Sequence, residues 1–167
     1  MSAGFSIRRA AEPDIPELAR HRAAMFRDMG TLADRLEAPL REAAAAYLRD
    51  AMPRGEYLAW VADASGDGVI GGAGVQLRPV MPRPPDRGDA LELGPEAIVL
   101  NVYVDPAWRR RGVAESLMRA LLDHLRANGI RRIVLHASAN GRRLYERLGF
   151  TATNEMRLTG AWPGPDQ

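Results

Sequence analysis

The chain has 167 residues, 46% hydrophobic and 26% charged, with a formal net charge of only +2. That is enough for one domain with a sizeable core. It has no cysteine for disulfide or thiolate chemistry, and no apolar run long enough to span a bilayer. The start MSAGFSIRRA lacks a secretory apolar core, so the expected location is cytoplasmic. There is no lysine among the 23 basic residues, and the arginines cluster in short runs: Arg109–Arg111, Arg131-Arg132 and Arg142-Arg143. A charge of +2 in such runs does not argue for nucleic acid. Three scattered histidines (His21, His124, His136) make no metal motif. The expectation is therefore no metal, no nucleic acid and no membrane.

In chain order, Phe5-Ser6-Ile7-Arg8 alternates and reads as a first strand. Glu12-Pro13-Asp14-Ile15-Pro16-Glu17 is an acidic, proline-bearing helix entrance. Its apolar face (Ile15, Leu18, Ala19, Met25, Phe26) runs to about Met29, with Gly30 as the stop. A second helix is expected from about Pro39 to Met52, on Leu40, Ala43, Ala44, Tyr47 and Leu48. Tyr57–Ala62 and Val69–Leu77 read as a hairpin around Ser65-Gly66-Asp67-Gly68. Gly71, Gly72 and Gly74 in the returning strand imply bulging or close approach of another segment. Arg78–Gly94 is a proline-rich loop without expected regular structure.

Val99–Val104 is β-branched, apolar and aromatic, a buried strand that Asp105-Pro106 ends. Arg109–Ala114 then opens a helix with Val113, Leu117, Ala120, Leu121 and Leu125 on one face and Asn128-Gly129 at its stop. Ile130–Ala137 is the next strand. Ser138 is placed to cap a helix over Ala139–Leu148, and Gly149-Phe150 leads into a last strand, Thr151–Leu158. Strand, short basic loop and helix form a phosphate-binding geometry. The first helical N–H groups lack intrahelical partners, and the helix dipole adds positive potential there.

Arg109-x-x-Gly112-x-Ala114, following Val104-Asp105-Pro106, resembles motif A of the GNAT superfamily of acyl-CoA N-acyltransferases, Arg/Gln-x-x-Gly-x-Gly/Ala. Downstream, Ser138–Phe150, ending in LYERLGF, resembles that family's motif B, Asn-x-x-Ala-x-x-Leu-Tyr-Glu-x-x-Gly-Phe. Tyr145, Glu146, Gly149 and Phe150 match; Ser138 stands for the asparagine and Gly141 for the alanine. The resemblance implies a mixed α/β fold: a central, mostly antiparallel twisted sheet, two strands parted around the acyl-CoA site, and helices on both faces. It implies a single domain over residues 5–160, leaving 161–167 as a loose tail.

The function implied is transfer of an acetyl group from acetyl-CoA to a primary amine by direct attack in a ternary complex. The phosphates of CoA would sit on Arg109, Arg110, Arg111, Gly112, Val113, Ala114 and Glu115. The backbone of Val102, Tyr103 and Val104 would pair with the pantetheine arm and polarise the thioester carbonyl. Ser138 would replace the usual asparagine contact. Tyr145 is the implied general acid, because a phenol stays protonated at neutral pH. By spacing alone a core aromatic is the favoured reading; within LYERLGF the acid is. The family's usual glutamate bases fall on Asn101 and Ile133 here, which leaves His136, Glu96 or Glu92, or a water chain, to take the amine's proton. His136 is the tentative base, with a packed histidine as the plain alternative.

The acceptor, a small-molecule, peptide or protein amine, would meet the first two helices and the Arg78–Gly94 loop. Met25–Gly30 offers apolar walls with one arginine, Arg27, suited to an amphipathic or carboxylate-bearing acceptor, but an ordinary helix core with a solvated Arg27-Asp28 edge is the favoured reading. A homodimer is a family habit that nothing in the sequence decides. The rival class is a non-catalytic acyl-CoA-binding module or sensor of the same fold. A nucleic-acid binder working through the arginine runs is a third reading.

Overall fold

The computed structural model describes residues 4–85 and 88–158. The chain forms two compact units, divided between His136 and Ala137. In the first unit the elements are β1 (Phe5–Arg9), α1 (Ile15–Asp28), α2 (Glu37–Ala51), β2 (Tyr57–Ala64), β3 (Gly68–Arg78), β4 (Glu96–Val104), α3 (Val113–Ala127) and β5 (Arg132–Leu135). The second unit holds the short helix α4 (Arg142–Arg147). The sheet order is β1-β2-β3-β4-β5, antiparallel throughout except for the parallel pair β4–β5. This is the mixed sheet expected from the sequence.

The period-two alternation of β2 distributes the core. Tyr57, Ala59 and Val61 join Ile15, Leu18 and Ala19 of α1 and Ala44, Ala45, Leu48 and Ala51 of α2 in one buried cluster. Trp60, pointing the other way, packs against His124 of α3, ring centroids 5.3 Å apart. Helix α3 buries Val113, Leu117, Met118, Leu121, Leu122 and Leu125, a stripe at helical spacing. Helices therefore cover both faces of the sheet.

The entrance to α1 is built by Asp14. Its carboxylate accepts the Ala11 backbone N–H (2.8 Å) and both Nη groups of Arg8 (2.8 Å each). The Arg8 hydrogen bonds, opposed by burial, hold the Asp14 carboxyl below its ordinary range. On the next turn Arg20 clamps Asp105 bidentately (3.0 and 3.1 Å) and Glu17 through Nε (2.7 Å).

The strand glycines have the role their number implied. The ladder slips between Gly72 and Gly74, opposite Tyr103 and Leu100. A Cβ on Gly72 would stand 3.2 Å from Leu18 Cδ2 and from His21 Nδ1, and one on Gly74 would overlap the Tyr57 hydroxyl. Bare backbone at these positions lets α1 and the Tyr57 phenol lie flat on the sheet.

Other boundaries differ from the sequence reading. Strand β4 begins at Glu96 rather than Val99, and α4 is shorter than the expected 139–148. The Arg78–Gly94 loop is not wholly irregular: Arg83 and Glu92 form an antiparallel bridge, closed by their own ion pair at 2.7 Å. Thr151–Leu158 form no strand. All eight are exposed, and a turn out of Gly149-Phe150 cannot make a strand where no ladder partner among the described residues completes the backbone hydrogen bonds. The tail expected at 161–167 lies outside the described residues.

His21 is fully buried between α1 and the sheet, its ring 5.2 Å from that of Tyr103. Arg20 Nη2 lies 2.9 Å from His21 Nε2, and a guanidinium only donates, so the imidazole accepts there and carries its proton on Nδ1. That nitrogen has no hydrogen-bond partner among the described residues. Burial first, then the charge of Arg20, pushes the His21 pKa down from 6.5 to about 4, against smaller upward effects of Asp105 and Glu17.

Two predictions follow from this packing. Gly74→Ala forces the Tyr57 ring to move and lowers stability by about 1–3 kcal/mol, read as a drop in denaturant midpoint at unchanged m value. The His21 imidazole is neutral when folded and protonates more readily when unfolded. Its contribution is therefore intact above pH 6.5 and lost as pH falls towards 4, by about 3 kcal/mol in all. His21→Gln should flatten the stability–pH curve in that window; an unchanged slope would refute the assignment.

Candidate active site

Strand β5 pairs with β4 only over Glu96–Val99, against Arg132–Leu135. Beyond Val99, β4 continues to Val104 while β5 has ended. Leu100–Val104 therefore present one backbone edge without a β5 partner, which is the parting of strands expected from the sequence. At this point β4 bulges. Asn101 is left-handed (φ 55°), and Asn101 and Val102 are accommodated opposite the single residue Ala73. A bulge beside a free edge re-aims the backbone groups that follow it.

Three side chains fix the bulge from the α1 side. Asn101 Nδ2 donates to the Tyr57 hydroxyl (2.9 Å), and Asn101 Oδ1 accepts from Arg22 Nη1 (2.6 Å). Burial pushes the Tyr57 phenol up to about 12, the Asn101 hydrogen bond opposing, so it stays protonated at any working pH. The sequence showed Asn101 only as a missing glutamate. Its link to residues 44 and 79 positions away carried no local signal.

After β4, Pro106–Trp108 make one 3₁₀ turn. Arg110 (φ 59°) and Gly112 (φ 82°) are both left-handed, with Arg111 between them of the opposite hand. Alternating hand of this kind gathers successive N–H groups into an anion-binding concavity. Helix α3 starts at Val113 without a side-chain cap, and the first helical hydrogen bond is Ser116 N–H to Gly112 O (3.0 Å). The N–H groups of Val113 and Ala114 at the first turn thus lack intrahelical acceptors. A Cβ on Gly112 would meet nothing within 4 Å, so glycine is required there by its φ and the approach is open. These features fit a diphosphate.

The arginines of the motif divide. Arg109 turns back: its Nε donates to Val104 O (3.0 Å), it pairs with Asp28 at the end of α1, and it lies over the Tyr103 ring (5.6 Å). It ties α1 to the end of β4 and occupies the Val104 carbonyl. Arg111 stacks on Trp108, 5.0 Å from the ring centroid.

The carboxylates considered as bases are engaged. Glu96 is buried and held by both Arg78 and Arg132. Burial pushes its carboxyl up, but the hydrogen bonds from Arg132 and Arg78 together prevail and hold it below its ordinary range. A base working near neutrality needs the reverse. Glu92 pairs with Arg83 in the loop bridge. His136 lies just past the end of β5 and is exposed. Arg27 is exposed and paired with Glu37, as the reading of a solvated helix edge expects, and not as an acceptor contact.

In the second unit, Ser138 Oγ accepts the Gly141 N–H (3.2 Å), capping the turn before α4. Tyr145 packs edge-on against Phe150, centroids 6.1 Å apart, and burial pushes its phenol up. A Cβ on Gly141 would lie 2.9 Å from Tyr145 Cε2, so the missing alanine methyl has a physical reason: the tyrosine ring lies against bare backbone there.

The family model for the acetyltransferase (GNAT) family matches residues 20–150. Over 75 residues the chain is 36% identical to the ribosomal protein bS18-alanine N-acetyltransferase of Haemophilus ducreyi, covering 42% of this chain and 50% of that one. Over 93 residues it is 29% identical to the glucosamine 6-phosphate N-acetyltransferase of Trypanosoma brucei brucei, covering 54% and 56%. With a mycothiol acetyltransferase of Streptosporangium roseum, 45% identity over 53 residues covers 30% of this chain and 16% of the relative. The chain thus spans about half or less of the length of these curated relatives.

Among solved structures, a GCN5-related N-acetyltransferase from Ralstonia eutropha JMP134 superposes with a TM-score of 0.81 at 30% identity, covering 95% of this chain and all of that one. A protein from Clostridium acetobutylicum, described as a predicted acetyltransferase and solved with acetyl-CoA, shares the fold at a TM-score of 0.79 and 22% identity, over 93% and 96% of the two chains. With most of its length matched by the family model, and a structural relative aligned along its whole chain, the protein belongs to the acetyltransferase (GNAT) family.

Proposed function

We propose that the protein is an N-acetyltransferase that moves the acetyl group of acetyl-CoA directly onto a primary amine. The observation that carries this reading is the parting of β4 from β5 at Val99, leading straight into the left-handed basic turn and the open start of α3. An edge of unpaired strand suits the amide-bearing pantetheine arm. The N–H groups from Arg110 to Glu115 suit its diphosphate. Arg109 acts by holding the turn, and Arg110 and Arg111 add positive potential at its mouth.

In the reaction the amine nitrogen attacks the thioester carbonyl carbon. The C–N bond forms, the C–S bond breaks, and the amine gives up a proton while the thiolate gains one. Backbone N–H groups of Val102–Val104, re-aimed by the bulge, are assigned to the developing oxyanion. Such a contact is worth roughly 3 kcal/mol in other acyl-transfer enzymes. Tyr145 is assigned as the proton donor to sulfur; its raised pKa keeps that proton in place at neutral pH. His136, near the end of β5, is assigned to the amine's proton, because Glu96 and Glu92 are committed to arginines. Ser138, whose hydroxyl caps the turn before α4, is assigned the pantetheine contact that the family gives to asparagine. That same absence of a free carboxylate at the candidate positions favours one rival, an acyl-CoA sensor without turnover.

Calorimetry against acetyl-CoA, with the dephosphorylated pantetheine thioester as control, should show one site that is tight for the first and at least tenfold weaker for the second. Equal binding would remove the phosphate cradle. Tyr145→Phe should lower kcat by at least about 10²-fold with acetyl-CoA affinity retained, followed by thiol release over an amine panel. Acetyl-CoA binding with no turnover of any amine by the unaltered protein would leave the sensor as the reading.

A further inference from the structure

Arg22 is set apart from the other half-buried arginines. Arg20, one-third exposed, is clamped by Asp105 and Glu17; Arg83, one-quarter exposed, by Glu92; Arg109 by Asp28. Among the described residues Arg22 has one hydrogen-bond partner and one ring beneath it, and both are neutral: Asn101 Oδ1 at 2.6 Å from its Nη1, and the Phe26 ring, whose centroid is 5.1 Å from its Cζ. No carboxylate among the described residues forms an ion pair with it. A guanidinium cannot shed its charge by losing a proton, so this cation is half out of water without a counter-charge.

It is also held in place. Asn101 Nδ2 donates to the Tyr57 hydroxyl, which orients the amide and turns its oxygen towards Arg22. The left-handed backbone of the bulge fixes where Asn101 stands. One Nη is thereby spent on Asn101. The Nε/Nη2 edge, two parallel donors, has the fork geometry that matches the two oxygens of a carboxylate or phosphate. The anchor residue, Asn101, adjoins the Val102–Val104 backbone.

We infer that Arg22 is an anion subsite for the acceptor: the amine that is acetylated carries an oxyanion, a carboxylate or phosphate, within a few bonds of the nitrogen. This rests on the proposed reading of the bulge as the place of acyl transfer. The acceptor cation is thus Arg22, five residues before Arg27 on α1, and its position is fixed by Asn101 of β4. Arg27 is cancelled by Glu37.

The test reads the arginine Nε–Hε resonances of ¹⁵N-labelled protein, with and without saturating CoA, during titration with sodium acetate or inorganic phosphate. The Arg22 resonance is identified by its loss in Arg22→Lys. It should shift saturably, with an apparent Kd at least tenfold below that at the exposed Arg35 and Arg41. A shift no different from theirs overturns the proposal, whether or not an acceptor is known. Matched amines then separate the two oxyanions: glycine against glycinamide, and O-phosphoethanolamine against ethanolamine, followed by thiol release. The charged member of one pair should be favoured at least tenfold in kcat/KM. Arg22→Gln should bring that ratio towards unity, the loss falling on the charged partner and appearing in its KM, with the neutral partner of the same pair as the internal reference for any disturbance of the bulge. Equal use of charged and neutral partners overturns the inference while leaving acetyl transfer standing. Failure of acetyl-CoA to bind in calorimetry overturns acetyl transfer instead.

Discussion

The structure depends on one inequality of length: β4 outruns β5. A parallel pair that stopped together would have closed the sheet with a complete ladder. Here the ladder ends at Val99 and Leu135, and the last residues of β4 are left with a free edge. An open edge inside a sheet is costly unless something occupies its hydrogen-bonding groups. On the other side of the strand the bulge at Asn101 breaks the regular ladder, where Gly72 and Gly74 allow it to slip. The turn beyond it, the start of α3 and the clamp of Arg109 all follow from where β4 is allowed to end.

Charge pairing maintains that geometry from outside. Glu96 receives Arg78 from the end of β3 and Arg132 from the start of β5, so three neighbouring strands meet on one carboxylate at the closed end of the parting. Arg20 with Asp105, and Arg109 with Asp28, do the same at the open end, both joining α1 to the region just past β4. With arginine the basic residue throughout, each tie is a planar fork rather than a point charge, which fixes direction as well as distance.

Much of this was legible in the sequence because it was written locally. Val99–Val104, Asp105-Pro106 and the Leu117-Leu121-Leu125 stripe each declare an element by composition and period. Gly112 declares a left-handed turn by being the residue that tolerates one. Ser138 is expected to cap the helix itself, but its hydroxyl closes the turn before α4, whose own N-cap is Gly141. The failures share a different cause. Thr151–Leu158 follows the Gly149-Phe150 turn where a last strand is expected, but a strand exists only if another strand accepts it. Glu96 looked like a candidate base until Arg78 and Arg132, 18 and 36 residues away, were seen to occupy it. Arg27 and Arg22 are both helical arginines on α1 and carry no mark of difference in one dimension. Their roles are decided by Glu37 and Asn101, residues the sequence pattern does not connect to them.

The bridge between Arg83 and Glu92 changes what kind of loop joins β3 to β4. Its two backbone hydrogen bonds (2.9 and 3.3 Å) and its ion pair close a stem, so the tip that must be closed runs only from Arg83 to Glu92 rather than over the whole excursion. Since closure cost grows only logarithmically with length, a tip on a closed stem can be lengthened or rewritten at about 0.6 kcal/mol per doubling. The stem insulates the sheet from such changes. The segment is in this sense modular: its ends belong to the fold, and its tip is open to divergence without a toll on the core.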